Sequence, residues 1–443
     1  MLKKEKFINN LITKDNISFM FNHLLIIYSF FLTLDRDIRK STFFVLIILF
    51  IIHPNFKKNI LKAIKNPVIK SMLFLYILLI IGSINVENFS YAKEHLIRMK
   101  PLLYPIILYP LVQYKFIPRI ITAFIFGMLI NEMTSYGLFL KIVPETWSYA
   151  NSYASTSPFS TNTVAYPYLL SITLGILFYK FLNNEFSYYW QKIILFIFLM
   201  LSTLNIFFNI SRTGYILYFI IMFIVLLYTF KKNILKLFSA ALIIFIVIFS
   251  LAFSFLPSVQ YKVKETSIAI EKMSNNNFNS SLGYRIALWK LGYELFKSKP
   301  ILGYGTGQDM LEAKKISIKK YPELTHIVVD LGKNIHNIYI QILVQIGLVG
   351  LIALFTIFFQ MISYKQDDPN LKIILLILVS ASMTYGMSSI WFHNIPAALF
   401  VSIGSFALVK KTAKEDILNK VTKYEIINYI VISILLFTIS KYS

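Results

Sequence analysis

The stretch 234–256, ILKLFSAALIIFIVIFSLAFSFL, carries a single charge, Lys236. A helix of that length and character matches the roughly 30 Å hydrocarbon core of a bilayer. Apolar runs approaching this kind recur at 17–34, 42–53, 68–84, 95–113, 116–140, 164–182, 191–208, 214–230, 337–360, 371–391 and 395–409, with a further stretch at 424–440. They predict an all-α polytopic integral membrane protein of about twelve transmembrane helices, or thirteen if 424–440 also crosses. The run at 42–53 is short, and 95–113 contains Pro101, Pro105 and Pro110, so a kink is expected there. The composition, 57% hydrophobic and 16% aromatic, excludes a soluble globular chain with runs of this length.

The formal charge of +23 invites a nucleic-acid reading, but the basic residues sit in short connections between apolar runs. There they act as topology signals and as anchors at anionic lipid headgroups, so membrane lipids rather than nucleic acid are the expected partners. With the N-terminus on the cytoplasmic side, inner connections hold Lys57, Lys58, Lys62, Lys65, Lys115, Arg119, Lys231, Lys232, Lys236, Lys410, Lys411 and Lys414. The first outer turn, DRDIRKS, departs from the rule, and nothing in the sequence accounts for it. The first span leads into Asp35-Arg36-Asp37 rather than a small-residue cleavage site, so no cleavable signal peptide is expected. There is no cysteine, which removes disulfides, thiol catalysis and Cys-ligated metal.

Three regions follow: spans 1–9 over 1–256, one large hydrophilic loop over 257–336, and C-terminal spans over 337–443. After nine crossings the loop lies outside, where long loops are exempt from the charge rule. Within it, SSLGYRIALWKLGYELFKSKP sets Ile286, Trp289, Leu291, Leu295 and Phe296 near helical spacing, with Ser280 or Ser281 to cap and Pro300 to close. A loop with its own apolar face is usually functional.

Three polar constellations fall on that outer side. In NISRTGY, Arg212 borders hydrocarbon; it reads either as a snorkelling anchor or as an anion-binding guanidinium at a helix N-terminus. Arg285 opens the loop helix, and the glycines of GYGTG (Gly303, Gly305, Gly307) follow it; this is neither a Walker loop nor a dinucleotide fingerprint. A tight turn that lets backbone approach a ligand or another helix is the expected role. HNIYIQILVQIGLVG begins with His336-Asn337 and carries Gly347 and Gly350. On a continuous helix Gly347 falls about 20° from His336 and Gly350 about 40° to the other side, a flat stripe suited to close helix packing. His336 is either structural or a base kept neutral by the helix N-terminus, and His393-Asn394 is a second such pair. The loop acids Glu265, Glu271, Glu294, Asp309, Glu312, Glu323 and Asp330 show no metal-ligand spacing, so no metal or other cofactor is expected.

His336-Asn337 followed by nine residues and Gly347-x-x-Gly350, together with SRTGY and the R…W…P…GYGTG run, resembles the bacterial O-antigen ligases. Their superfamily also holds O-antigen and exopolysaccharide polymerases and protein O-oligosaccharyltransferases. The resemblance covers roughly 190–355 and implies a GT-C-like fold in the bacterial inner membrane, with the active site facing the periplasm. It implies metal-independent, inverting transfer of a glycan from undecaprenyl pyrophosphate to a sugar hydroxyl of lipid A–core. Carried onto this sequence, His336, Arg285 and Arg212 are the catalytic set, and Asn337, Ser211, Tyr215, Gly303, Gly305 and Arg98 bind substrate. The alternative within the superfamily is a polymerase joining glycan units. A transporter of polyprenyl-linked glycan is disfavoured by the few charges inside the spans and the single large loop.

Overall fold

A computed structural model describes residues 13–411 apart from 153–154, 160, 185–187, 210, 232, 332–333 and 391–393. The expected crossing at 424–440 and the histidine of the His393-Asn394 pair lie outside the described residues. The described chain is helical, its one extended pairing being an isolated bridge between Ser148 and Pro158.

The first half comprises α1 (Lys14–Phe31), α2 (Arg36–Ile52), α3 (Phe56–Lys65), α4 (Pro67–Ile81), α5 (Phe89–Met99), α6 (Tyr104–Leu111), α7 (Ile117–Phe139), α8 (Ala165–Leu182) and α9 (Tyr189–Phe208). There follow α10 (Arg212–Phe230), α11 (Ile234–Phe255), α12 (Pro257–Ser274), α13 (Ser281–Ser298), α14 (Asp309–Lys320), α15 (Thr325–Leu331), α16 (Ile338–Ser363), α17 (Pro369–Gly386) and α18 (Asn394–Ala407). Among the described residues seven helices are long and apolar enough to cross a membrane, and an eighth if α2 and α3, bent by 110°, count as one span. That is the make-up of a multi-pass membrane protein. In α11 only Ala241 and Ala252 are buried, and most of this apolar helix is exposed. Such a surface is stable only against hydrocarbon.

The expected run at 95–113 is not one helix. It divides into α5, a 3₁₀ turn over Lys100–Leu103 and α6, with Pro101 and Pro105 each at the start of its piece. Proline removes an N–H and fixes φ, and both are tolerated at a helix start.

DRDIRKS also finds a physical account. Asp35 caps α2 by accepting from the Asp37 and Ile38 N–H groups. Arg39 folds inward, buried, and donates from Nη1 to the Leu32 carbonyl at 2.8 Å. One of the three cations of this turn is thus consumed inside the bundle.

The two ends of the bundle differ. α8 and α10 pack together at the end where the loop helices α12–α15 attach, with Gly214 set so close to Pro167 that a Cβ would overlap its ring. Lys180 and Lys231 mark the opposite end of these helices. At that basic end Tyr114 donates to Asp368 at 2.6 Å, Lys62 donates to the Pro110 carbonyl, and Lys410 lies over the Tyr364 ring. A small cavity of about 190 Å³ there, lined by Tyr114, Lys180 and Asp368, is far from the loop helices.

Candidate active site at the loop end

α13 starts as the sequence suggests: Ser280 is the cap, its side chain accepting from the Gly283 N–H at 2.9 Å. Its buried stripe is Ala287, Leu288, Leu291 and Leu295, while Ile286 turns outward, so the apolar face is rotated from the expected one. Gly292 lets α13 close on Ile340 of α16. This packing fixes Arg285, one turn into α13, beside the start of α16.

α10 begins at Arg212, with Ser211 as its cap accepting from the Gly214 N–H. Arg212 Nε donates to Thr266 Oγ1 of α12 at 2.7 Å, and its Nη2 lies 3.7 Å from Glu265. Nη2 is buried and makes no hydrogen bond among the described residues. Lys262 pairs with the same Glu265. Tyr215 donates to the Asn209 carbonyl at 3.2 Å and stacks on Phe207, which sets the entry of the chain into α10. Thr213 donates to Ser388 just beyond α17 at 2.9 Å, tying this entry to the next element.

His336 has φ +54°, in the left-handed region that histidine visits more readily than branched residues. Its N–H donates to Asn334 Oδ1 at 2.9 Å. Asn337 caps α16, accepting from Tyr339 and Ile340 N–H, and donates to the Met387 carbonyl at 3.2 Å. A polar pair therefore opens this apolar helix because one member caps it and the other turns the chain.

Arg212, Arg285 and His336 are brought to one place. The Arg285 pKa is lowered, first by burial and next by the like charge of Arg212; the guanidinium remains charged. Tyr385 of α17 and Glu265 are also in its electrostatic range. The His336 pKa is lowered, first by burial and next by Arg285. The imidazole is thus held toward the neutral form, as expected, but by burial and a neighbouring cation rather than by a helix terminus. Lys262, Arg212 and Arg285 face a single carboxylate, Glu265, so the cluster carries an excess of positive charge suited to an anion with several oxygens.

Gly347 does not form a helix-packing stripe with Gly350. Its φ of 66° and ψ of −158° break α16 in the middle, and a Cβ there would overlap the Ile301 carbonyl. The segment after α13 enters the break. Leu348 N–H donates to the Pro300 carbonyl at 2.9 Å and Val349 N–H to Ile301 at 3.4 Å, while Tyr304 and Gly305 N–H donate to Val344 and Gln345. Thr306 N–H then reaches the Gly82 carbonyl at the end of α4. Gly350 meets side chains of its own helix. The glycines of GYGTG have positive φ because Gly303 lies against the Val344–Gln345 backbone and Gly305 against Gly82. Most N–H groups of this turn are thereby satisfied within the protein.

Arg98 is not gathered with the three. It pairs with Glu94 on α5 and lines a separate cavity with Asp309 and Gln341. Asn394 opens α18, at the loop end. Glu265, Thr266, Lys262 and Tyr385 join the cluster without having been singled out. Spaced along a charged loop helix, the first three look like an ordinary solvated face. Among the described residues no group of three His, Asp or Glu could hold a metal ion.

Residues 196–355 match the family model described as O-antigen ligase. The chain is 22% identical over 195 residues, 44% of its length, to an O-antigen ligase of Escherichia coli K12, covering 46% of that protein. It is 32% identical over 112 residues, 25% of its length, to an uncharacterized protein of Haemophilus influenzae Rd, covering 27% of it. The chain thus matches less than half the length of either relative.

Proposed function

We propose, from the match of residues 196–355 to the O-antigen ligase family model, that this chain transfers a glycan from undecaprenyl pyrophosphate to a sugar hydroxyl of lipid A–core. The reading sets the loop end at the periplasmic face of the inner membrane. What supports it most directly is the electrostatic influence of Arg285 on His336 and of Arg212 on Arg285, two guanidiniums near a partly buried imidazole.

In this mechanism Arg212 and Arg285 grip the diphosphate oxygens. The unbonded Nη2 of Arg212 supplies a donor already desolvated. His336, neutral at physiological pH, accepts the proton of the attacking hydroxyl. The new bond forms from that oxygen to the anomeric carbon, the bond from the carbon to the diphosphate oxygen breaks, and undecaprenyl pyrophosphate leaves with the electron pair. Attack opposite the leaving group inverts the anomeric centre. The guanidiniums stabilise charge as it grows on the leaving oxygen, where preorganised donors act most strongly. No metal enters these steps. Gly303 and Gly305 serve this site by seating the turn in the broken α16, and Ser211, Tyr215 and Asn337 by fixing the helix entries.

Deletion of the gene tests this assignment. Without a ligase, repeats are still polymerised, so long glycan stays on the carrier and lipid A–core is bare. Core capped by a single repeat would instead identify a polymerase.

A further inference from the structure

A second cavity lies on another flank of α16. It measures about 550 Å³ and is lined by Tyr91, Glu94 and Arg98 of α5, Asp309 and Lys314 of α14, and Gln341 of α16. That volume is in the range of small-molecule sites.

Two of its polar groups, Asp309 and Gln341, are built into the wall, while Tyr91, Glu94 and Lys314 are exposed. Asp309 is 4% exposed and Gln341 2%. Gln345 donates from Nε2 to Asp309 Oδ1 at 2.6 Å, which holds the carboxylate in place. Burial raises the Asp309 pKa to about 6. The Gln341 Oε1 atom, buried at the wall, accepts no hydrogen bond among the described residues. A buried acceptor left unsatisfied keeps its desolvation cost, so a ligand donor at this spot recovers stability. Carboxylates, a guanidinium, an ammonium, an amide and the half-exposed ring of Tyr91 suit one ligand chemistry, a hydroxyl-rich ring with apolar faces. An alkyl chain would leave the Gln341 acceptor unpaired, and a diphosphate would face two carboxylates.

Position says which saccharide. Tyr339 donates to the Met383 carbonyl of α17 at 2.8 Å, toward the helix whose Tyr385 lies in the field of Arg285 and beyond whose end Ser388 accepts from Thr213, the neighbour of Arg212. Gln341 faces His95 of α5, two residues on, about 200° around the helix. The cavity and the arginines therefore flank α16 on opposite sides, with His336 at its end. We propose that this cavity binds the acceptor saccharide, bringing its hydroxyl to His336 from the side opposite the diphosphate. This rests on the transfer reading above.

The absence of native cysteine gives a direct test. Val329→Cys places a thiol in the cavity lining, at a position 56% exposed. In the purified full-length protein, core oligosaccharide freed of lipid should slow its maleimide labelling about threefold or more, and undecaprenyl diphosphate should not. Protection by the released donor glycan but not by core oligosaccharide, or protection by neither, overturns the assignment. Gln341→Leu gives the kinetic arm: acceptor KM should rise about tenfold, with kcat and donor KM within about twofold. A fall in kcat at unchanged acceptor KM would make Gln341 structural and sink the proposal. Labelling needs no turnover, so failure of glycosyl transfer itself would show separately, as an inactive wild type.

Discussion

His336 combines a left-handed backbone, a half-buried ring and a cationic neighbour, and each has a measurable consequence. Replacing it with Ala should lower transfer by about 10²–10⁴ while leaving the protein in the membrane. Wild-type activity in that variant would return the histidine to a structural role. Arg212→Lys should rescue poorly, because an ammonium lacks the planar fork that meets Thr266, Glu265 and an anion together. The pH dependence follows from the direction of the shift. His336 titrates below its ordinary 6.5, so it is neutral and able to accept a proton above that value. We expect kcat/KM to be flat above pH 6.5 and to fall with an acid limb centred below it; a limb centred at or above 6.5 argues against His336 as the base. By linkage, the folded state binds fewer protons at this residue than the unfolded state between the two pKa values. Its contribution to stability is therefore lost as pH falls through that window. That Arg212, Arg285 and His336 gather at one end of the bundle was legible from their type and their place beside apolar spans. Glu265 and Thr266 were not, because only the folding of α12 onto Arg212 separates them from any charged helix face.

At the scale of elements, the long apolar helices and the capped loop helix α13 could be read directly, since run length and a Ser-x-x-Gly cap are local signals, whereas about twelve spans were expected and seven or eight helices of spanning length stand among the described residues. The broken α16 could not. Gly347 and Gly350 look alike in a hydrophobic run, and only the turn from Pro300 to Gly305 makes one of them a break. Irregular backbone survives at membrane depth when protein satisfies its polar groups, and here the segment after α13 supplies the partners. This separates the two glycines by experiment. Gly347→Ala adds a Cβ against the Ile301 carbonyl at φ +66°, so it should cost about 1–3 kcal/mol and lower the thermal midpoint of the purified protein. Gly350→Ala meets only the Ile342 and Ile346 side chains of its own helix and should be milder. Equal effects from both would mean that α16 is continuous. Because the same turn links α13 to α16, Gly347→Ala should also reduce transfer by displacing Arg285 relative to His336.

For the whole molecule, the two ends of the bundle make a prediction about orientation. The basic end holds Lys62 in the short helix α3, and Lys231 and Lys410 just after α10 and α18, and positive charge close to the ends of spans favours the cytoplasmic side. The loop end holds α12–α15 and the Arg212, Arg285 and His336 cluster, and a segment as long as 257–336 crosses largely regardless of its charge. The proposed reaction needs this arrangement, because carrier-linked glycan and lipid A–core must meet on the same face as His336. Single cysteines in a chain that has none report it cleanly. Ser267 of α12 and Lys58 of α3 are both exposed, so burial does not bias the comparison, whereas Ser317 is fully buried and unsuitable. In cells with a permeabilised outer membrane, Ser267→Cys should react with an impermeant maleimide, and Lys58→Cys should react only after lysis. Labelling of Lys58→Cys from outside, with Ser267→Cys protected, would invert the protein in the membrane and remove the periplasmic reaction with it.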